Sequence, residues 1–125
     1  MAKPVIIAID DQPITCEMIK GNLENDYDIK TFTSGNDAIK FVNESHVDLV
    51  LLDYEMPVVT GYGVLMAIRS KKQTMDIPVI FITSVTNKRL EEEMMARGAN
   101  AFITKPIDFL LLRRLIQEHL TGKAT

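Results

Sequence analysis

The chain has 125 residues, 46% hydrophobic and 25% charged, which suits one soluble domain with a proper core. Its net charge of −3 argues against direct contact with nucleic acid, because the surface would repel phosphates overall. Cys16 is the single cysteine, which excludes an internal disulfide and a cysteine-based zinc cluster, while the lack of a long apolar run or a secretory leader predicts a cytoplasmic protein without membrane contact.

The first apolar run, Val5 to Ile9, does not alternate with polar residues, the pattern of a strand covered on both faces. Asp10 and Asp11 close it. Pro13 suits a first helical turn, and Ile14, Met18 and Ile19 recur behind it at helical spacing, which predicts their side of the helix as its apolar stripe. Cys16 on that helix reads as an inert, partly buried thiol. Tyr27 to Phe32 reads as a weaker strand, and Ser34 then caps a helix presenting Ala38, Phe41 and Val42. Val47 to Leu52 forms a third buried strand that ends in Asp53. Gly61 opens a helix with Leu65 and Ile68, and Val79 to Ile82 makes a fourth strand ending in Thr83 and Ser84. Leu90 and Met94 pair on a helix that Gly98 stops. Ala101 to Ile103 leads into Lys105-Pro106, and Leu112, Leu115, Ile116 and Leu120 line one side of the last helix. A single domain over 1–121 is expected, with 122–125 as a flexible tail.

Five strands, each followed by a helix, predict an α/β fold of three layers: a parallel sheet with helices on both faces. Ligands of such sheets bind at the carboxyl ends of the strands, where Asp10, Asp11, Asp53, Thr83 and Lys105 all stand. Neighbouring carboxylates repel and raise one another's pKa unless a cation intervenes. Mg²⁺, a hard ion that takes carboxylate, water and phosphate oxygens, meets that need. Lys105 then offers a point charge, and Thr83 a hydrogen-bond donor, to a phosphoryl oxygen. The set reads as a phosphoryl-transfer site with a carboxylate nucleophile. Each piece alone reads as a loop opener or a helix cap; their agreement at one end of successive strands outweighs that reading.

With these residues assembled, the whole chain resembles the receiver domain of two-component response regulators. The resemblance is carried by Asp10-Asp11, by D-Y-E-M-P-V-V-T-G from Asp53 to Gly61, by I-T-S around Thr83 and by T-K-P around Lys105. It implies a flavodoxin-like, doubly wound five-stranded sheet of order 2-1-3-4-5 with five helices. It also implies that Asp53 accepts a phosphoryl group from a phosphohistidine on a sensor histidine kinase or a histidine phosphotransfer protein. By the same resemblance Asp11, Asp53 and the backbone carbonyl of Glu55 ligate Mg²⁺, Asp10 acts mostly through a bound water, and Lys105 pairs with the phosphoryl group. Lys105-Pro106 is then a cis bond, and Thr83 and Phe102 form a switch that alters the surface of helix four, strand five and helix five. That surface would control a downstream effector or the chain's own output domain, and a homodimer formed on phosphorylation belongs to the same expectation.

Four positions depart from the family pattern: Ser84 stands for the usual alanine, Phe102 for tyrosine, Ile107 for phenylalanine, and an acidic Glu55 lies two residues after the acceptor. Glu55 is expected to hinder an attacking water and so to lengthen the phosphoryl lifetime. The expected protein is a switch with self-catalysed phosphoryl acceptance, not an enzyme that turns over a metabolite. Two rivals compete with it. A Mg²⁺-dependent phosphohydrolase with an aspartate nucleophile would be expected to place that residue after the first strand, and here it follows the third. A pseudo-receiver that binds without phosphorylation would be expected to have lost part of the set. His46 and His119 are isolated, and Glu91 to Glu93 read as a solvated helix face.

Overall fold

The computed structural model describes residues 2–85 and 87–123. Five strands alternate with five helices: β1 (Val5–Ile9), α1 (Pro13–Leu23), β2 (Asp28–Phe32), α2 (Gly35–Glu44), β3 (Leu49–Leu52), α3 (Gly61–Arg69), β4 (Val79–Thr83), α4 (Lys88–Ala96), β5 (Ala101–Thr104) and α5 (Phe109–Lys123). All strand pairs are parallel, and the sheet order is β2-β1-β3-β4-β5, as the resemblance implied. The fold is flavodoxin-like.

The period of two along a strand sorts the core into two layers. Ile7, Ile9, Val50, Leu52, Val79 and Phe81 face α2, α3 and α4, where they meet Ala38, Val42, Leu65, Ile68 and Met94. Ile6, Ala8, Leu49, Leu51, Ile80 and Ile82 face the other way, onto Ile19 and Leu23 of α1 and Leu112 and Ile116 of α5. The middle strands are buried on both sides, which is why their sequences run apolar without alternation. Each fully buried Leu or Ile contributes about 1.5–3 kcal/mol relative to exposure.

Register brings the strand ends level. Ile9 pairs with Leu52 and Leu52 with Phe81, while Thr83 pairs with Thr104. Asp10 N–H donates to Phe32 O at 3.0 Å, Asp53 N–H to Ile9 O at 2.9 Å and Lys105 N–H to Thr83 O at 2.8 Å. The ladder thus continues one residue past each strand and holds the backbone of the chemical residues still.

The helices follow local signals. Ser34 Oγ accepts from Asp37 N–H, Thr60 Oγ1 from Gly63 N–H, and Asn87 Oδ1 from Arg89 and Leu90 N–H, each satisfying N–H groups that a helix start leaves open.

Three expectations need correction. Ile14 and Met18 are 68% and 50% exposed; the buried side of α1 is Thr15, Cys16, Ile19 and Leu23. A helix starting at Pro13 turns Cys16 and Ile19, three residues apart, toward the sheet and leaves Ile14 and Met18 on the opposite rim. Strand β3 begins at Leu49, two residues later than the apolar run, because Asp48 turns its carboxylate back to accept Val5 N–H at 2.7 Å. Gly122 and Lys123, expected as tail, continue α5; 124–125 of that tail lie outside the described residues.

Candidate functional site

Four strand ends converge on one hollow. Oxygens of Asp10, Asp11 and Asp53 lie within 4.8 Å of one another, with Asp10 and Asp53 buried and Asp11 exposed. Lys105 Nζ donates to Asp10 Oδ2 at 2.8 Å and stands 3.7 Å from Asp53 Oδ2. The other Asp10 oxygen, Oδ1, accepts Gln12 N–H at 2.9 Å. Both oxygens of Asp10 are therefore engaged within the protein, whereas Asp11 faces solvent.

Asp53 sits where an ionised carboxylate is uncomfortable. Burial pushes its pKa above the usual carboxylate value, and the charge of Asp10 pushes it further; Lys105, the Thr83 hydroxyl and the Glu55 N–H pull back without cancelling the rise. Burial alone would lower the pKa of Lys105, but its hydrogen bond to Asp10 and the charges of Asp53 and Asp10 raise it, so the ammonium stays charged. Thr83 is fully buried, and its Oγ1 accepts Val85 N–H at 3.3 Å. Phe102 is half-buried on β5 opposite Phe81, two residues before Thr104, the partner of Thr83, with its ring 5.9 Å from that of Phe81. The Lys105–Pro106 peptide bond is cis. Glu55 is exposed at the rim, where a shallow hollow is bounded by Asp11, Tyr54, Glu55, Met56, Pro57 and Thr60. A roomier hollow along the open edge of β2, beside Lys20 and Lys30, holds no comparable cluster among the described residues.

The loop after β3 is shaped by two residues whose roles differ in legibility. A Cβ at Gly61 would overlap the Asp53 carbonyl oxygen and stand 2.7 Å from Tyr54 Cα, so only glycine lets α3 begin directly under the acidic strand end. Gly61 N–H also donates to Tyr54 O at 2.9 Å. Val58 has φ +67° and is 94% exposed, and Val59 N–H donates to Pro57 O at 2.8 Å across it. That is a γ-turn of the strained hand, centred on a β-branched residue that resists it. Residue type gives no hint of such a turn at Val58; a Gly or Asn would have.

Cys16 also escaped notice as a neighbour of the site. Its Sγ donates to the Asp10 carbonyl oxygen at 3.4 Å, and burial first, then the Asp10 charge, keep it a thiol. It is more deeply buried than expected. The structure does not bring the two histidines to the site: His46 pairs with Asp48 at 2.8 Å near the start of β1, where Asp48 also accepts Val5 N–H, and His119 lies on α5.

Chemically, the arrangement offers a buried nucleophilic carboxylate, a fixed cation, a hydroxyl and an acidic pocket for a hard metal ion. Comparison with known proteins points the same way. A family model described as the response regulator receiver domain matches residues 6–117. The polar-differentiation response regulator DivK of Brucella abortus is 30% identical over 121 residues, covering 96% of this chain and 98% of that protein. A probable cyclic di-GMP phosphodiesterase of Vibrio cholerae is 33% identical over 123 residues, and there the chain spans only 28% of the relative's length. Among solved structures, the response regulator TrrA of Thermotoga maritima, in complex with Mg²⁺ and BeF, superposes with a TM-score of 0.82 at 30% identity, covering 93% of this chain and 98% of that one. Chemotaxis protein CheY4 of Vibrio cholerae gives 0.88 at 26% identity, covering 94% and 98%.

Proposed function

The chain belongs to the response regulator receiver family, and from that premise we propose that Asp53 is its phosphoacceptor and that 1–121 form the receiver unit. The observation that carries this reading is the placement of Lys105 Nζ between Asp10 and Asp53, at 2.8 and 3.7 Å, beside a third carboxylate on Asp11. In the proposed step a carboxylate oxygen of Asp53 attacks the phosphorus of a phosphohistidine. An O–P bond forms, the N–P bond breaks, and the imidazole leaves with the electron pair and takes a proton.

The donor set fits Mg²⁺. It is all hard oxygen, and the raised pKa of Asp53 marks negative charge that a cation would relieve. Asp11, Asp53 and the backbone carbonyl of Glu55 would hold the ion, with Asp10 acting mostly through water because its own oxygens are taken. When bound, Mg²⁺ supplies the positive charge that lets a phosphoryl group approach three carboxylates. Lys105 holds the incoming oxygen electrostatically, and the Thr83 hydroxyl donates to a second.

A phosphoryl group adds roughly 1.5 to 2 negative charges, which biases Thr83 and Lys105 toward it. Thr83 and Phe102 then change the surface of α4, β5 and α5. The donor is a sensor histidine kinase or a histidine phosphotransfer protein; the reader is an effector or an output domain, and dimerisation follows on phosphorylation. The domain acts as a switch, not as a turnover phosphohydrolase, in a cytoplasmic setting; among the described residues no helix is long and apolar enough to cross a membrane.

Incubation with acetyl phosphate and Mg²⁺ should add one phosphoryl group by intact mass, and chelation of the metal should prevent it. No gain, or a gain that survives Asp53→Asn, overturns the assignment. Glu55→Ala should shorten the lifetime of the phosphorylated form about threefold, a shift of under 1 kcal/mol in barrier; an unchanged lifetime removes Glu55 from the account.

A further inference from the structure

We infer that α4 is hinged at its C-terminal end, with Arg69 as the hinge pin, so that its N-terminal half is the part of the proposed readout surface that moves. The inference rests on the phosphoacceptor reading only for what drives the motion; the hinge itself stands on contacts at the opposite end of the sheet from Asp53.

Three independent attachments meet at that end of α4. Met94 is fully buried in the core and is the buried residue of the helix. Behind it the chain turns through Gly98 at φ +111°, with Gly98 N–H on Met95 O at 3.2 Å and Ala99 N–H on Met94 O at 3.0 Å. This double closure satisfies the last carbonyls of the helix. Arg97, the C-cap, lays its guanidinium over the Tyr62 ring of α3 at 5.5 Å.

Arg69, the last residue of α3, ties these together. Its Nε and Nη2 donate to Gly98 O at 3.1 and 2.7 Å, its Nη1 to Met75 O at 3.0 Å and Ile77 O at 2.7 Å, and its Nη2 also to Asn100 Oδ1 at 2.9 Å. Asn100 Oδ1 in turn accepts Val79 N–H at 2.8 Å, and Asn100 N–H donates to Val79 O at 2.8 Å. One planar, rigid donor fork thus fixes the end of α3, the approach to β4, the turn after α4 and the approach to β5. A Cβ at Gly98 would lie 3.0 Å from Nε, so the turn and the guanidinium fit each other closely.

The other end of α4 is held differently. Lys88, Arg89, Glu91 and Glu92 are exposed, and Leu90 is only half-buried. Among the described residues the side-chain hydrogen bonds here are those of the Asn87 cap on Arg89 and Leu90 N–H, inside the helix's own first turn, and Leu90 packs against the core from its half-buried position. The path into this end leaves β4 at Thr83, whose hydroxyl accepts Val85 N–H. Any shift of that hydroxyl toward Asp53 draws on Val85, and the loose end of α4 follows while Met94 to Asn100 stay put.

The test is residue-resolved native amide hydrogen exchange on the full chain, wild type and Arg69→Gln, with and without Mg²⁺ plus beryllofluoride. In the unliganded protein, Arg69→Gln should lower protection of the Ala99 and Asn100 amides about tenfold, with little change in the first turn of α4. In the wild type, beryllofluoride should alter exchange at Val85 and in 88–92 and leave Arg97 to Asn100 unaltered; in Arg69→Gln the change should spread along the helix. Unaltered protection of Ala99 and Asn100 in Arg69→Gln, or an even wild-type response along α4, overturns the hinge. Absence of any beryllofluoride effect at Asp53 and Thr83 would instead sink the phosphoacceptor reading, leaving the unliganded comparison to decide the hinge. Should Arg69→Gln fail to fold, Tyr62→Leu must lower the same protections to a smaller degree, and no change there overturns the proposal as well.

Discussion

Lys105 and Arg69 are both partly buried cations at opposite ends of the same sheet, and their surroundings differ in kind. Lys105 lies among carboxylates, which raise its pKa against the effect of burial. Arg69 donates to neutral carbonyls and an amide, and burial lowers its pKa although the charge of Asp76 works the other way. At the rim, carboxylate charge is concentrated around one ammonium, the surplus on which the proposed Mg²⁺ and phosphoryl group would draw. At the base, the donors are used on three backbone carbonyls and the Asn100 side-chain oxygen, which must not move. Among the described residues no buried side-chain nitrogen or oxygen lacks a partner, so the rim is costly through charge and strain rather than through missing hydrogen bonds.

That contrast can be broken most severely at the base. Arg69→Met removes hydrogen bonds to four backbone or amide acceptors and should cost about 2–4 kcal/mol of stability by urea denaturation. Mg²⁺-dependent phosphorylation of the folded fraction should persist, because the site is at the other end. Next comes Gly61→Ala at the rim, where the added Cβ overlaps the Asp53 carbonyl. A loss of about 1–3 kcal/mol is expected, and here phosphorylation should fall with it; an intact phosphorylation rate would show that the close approach is not what sets the acceptor.

A smaller effect, of opposite sign, is expected from Asp53→Asn. The folded protein holds the Asp53 carboxyl above its unfolded pKa, so its protonated form stabilises the fold. That stability is fully present below about pH 4, the unfolded value, and is lost as pH rises through the folded pKa. Without metal at neutral pH, Asp53→Asn should therefore melt at higher temperature than the wild type, and the difference should close on acidification. Saturating Mg²⁺ should raise the wild-type melting temperature and narrow the gap. The smallest effect belongs to Val58→Gly. Relief of the positive φ is partly offset by the freer unfolded chain, leaving a gain of a few tenths to about 1 kcal/mol.

The rim was legible in the sequence and the base was not. Asp10, Asp53, Thr83 and Lys105 each end or follow an apolar run, and a polar group in that place is visible in the residue types alone. The strands were legible for the same reason, since double burial leaves uninterrupted runs such as Val79 to Ile82. Arg69 meets carbonyl oxygens that any residue carries, so nothing in the sequence distinguished it from a solvated arginine. Ile14 and Met18 misled because helical spacing marks a stripe without saying which way it faces, and Cys16, Ile19 and Leu23 made an equally good one. Val58 stood against its own conformational preference, which no pattern of residue types announces.

If Asp53 carries the phosphoryl group, the acid anhydride it forms has a chemistry of its own. After incubation with acetyl phosphate and Mg²⁺, borohydride reduces an aspartyl phosphate to homoserine, which peptide mass spectrometry locates. Homoserine at position 53, and its loss when the metal is chelated, is the predicted result. A stable phosphate on Thr83 or Ser84, or homoserine at Asp10 or Asp11 in place of Asp53, would contradict it.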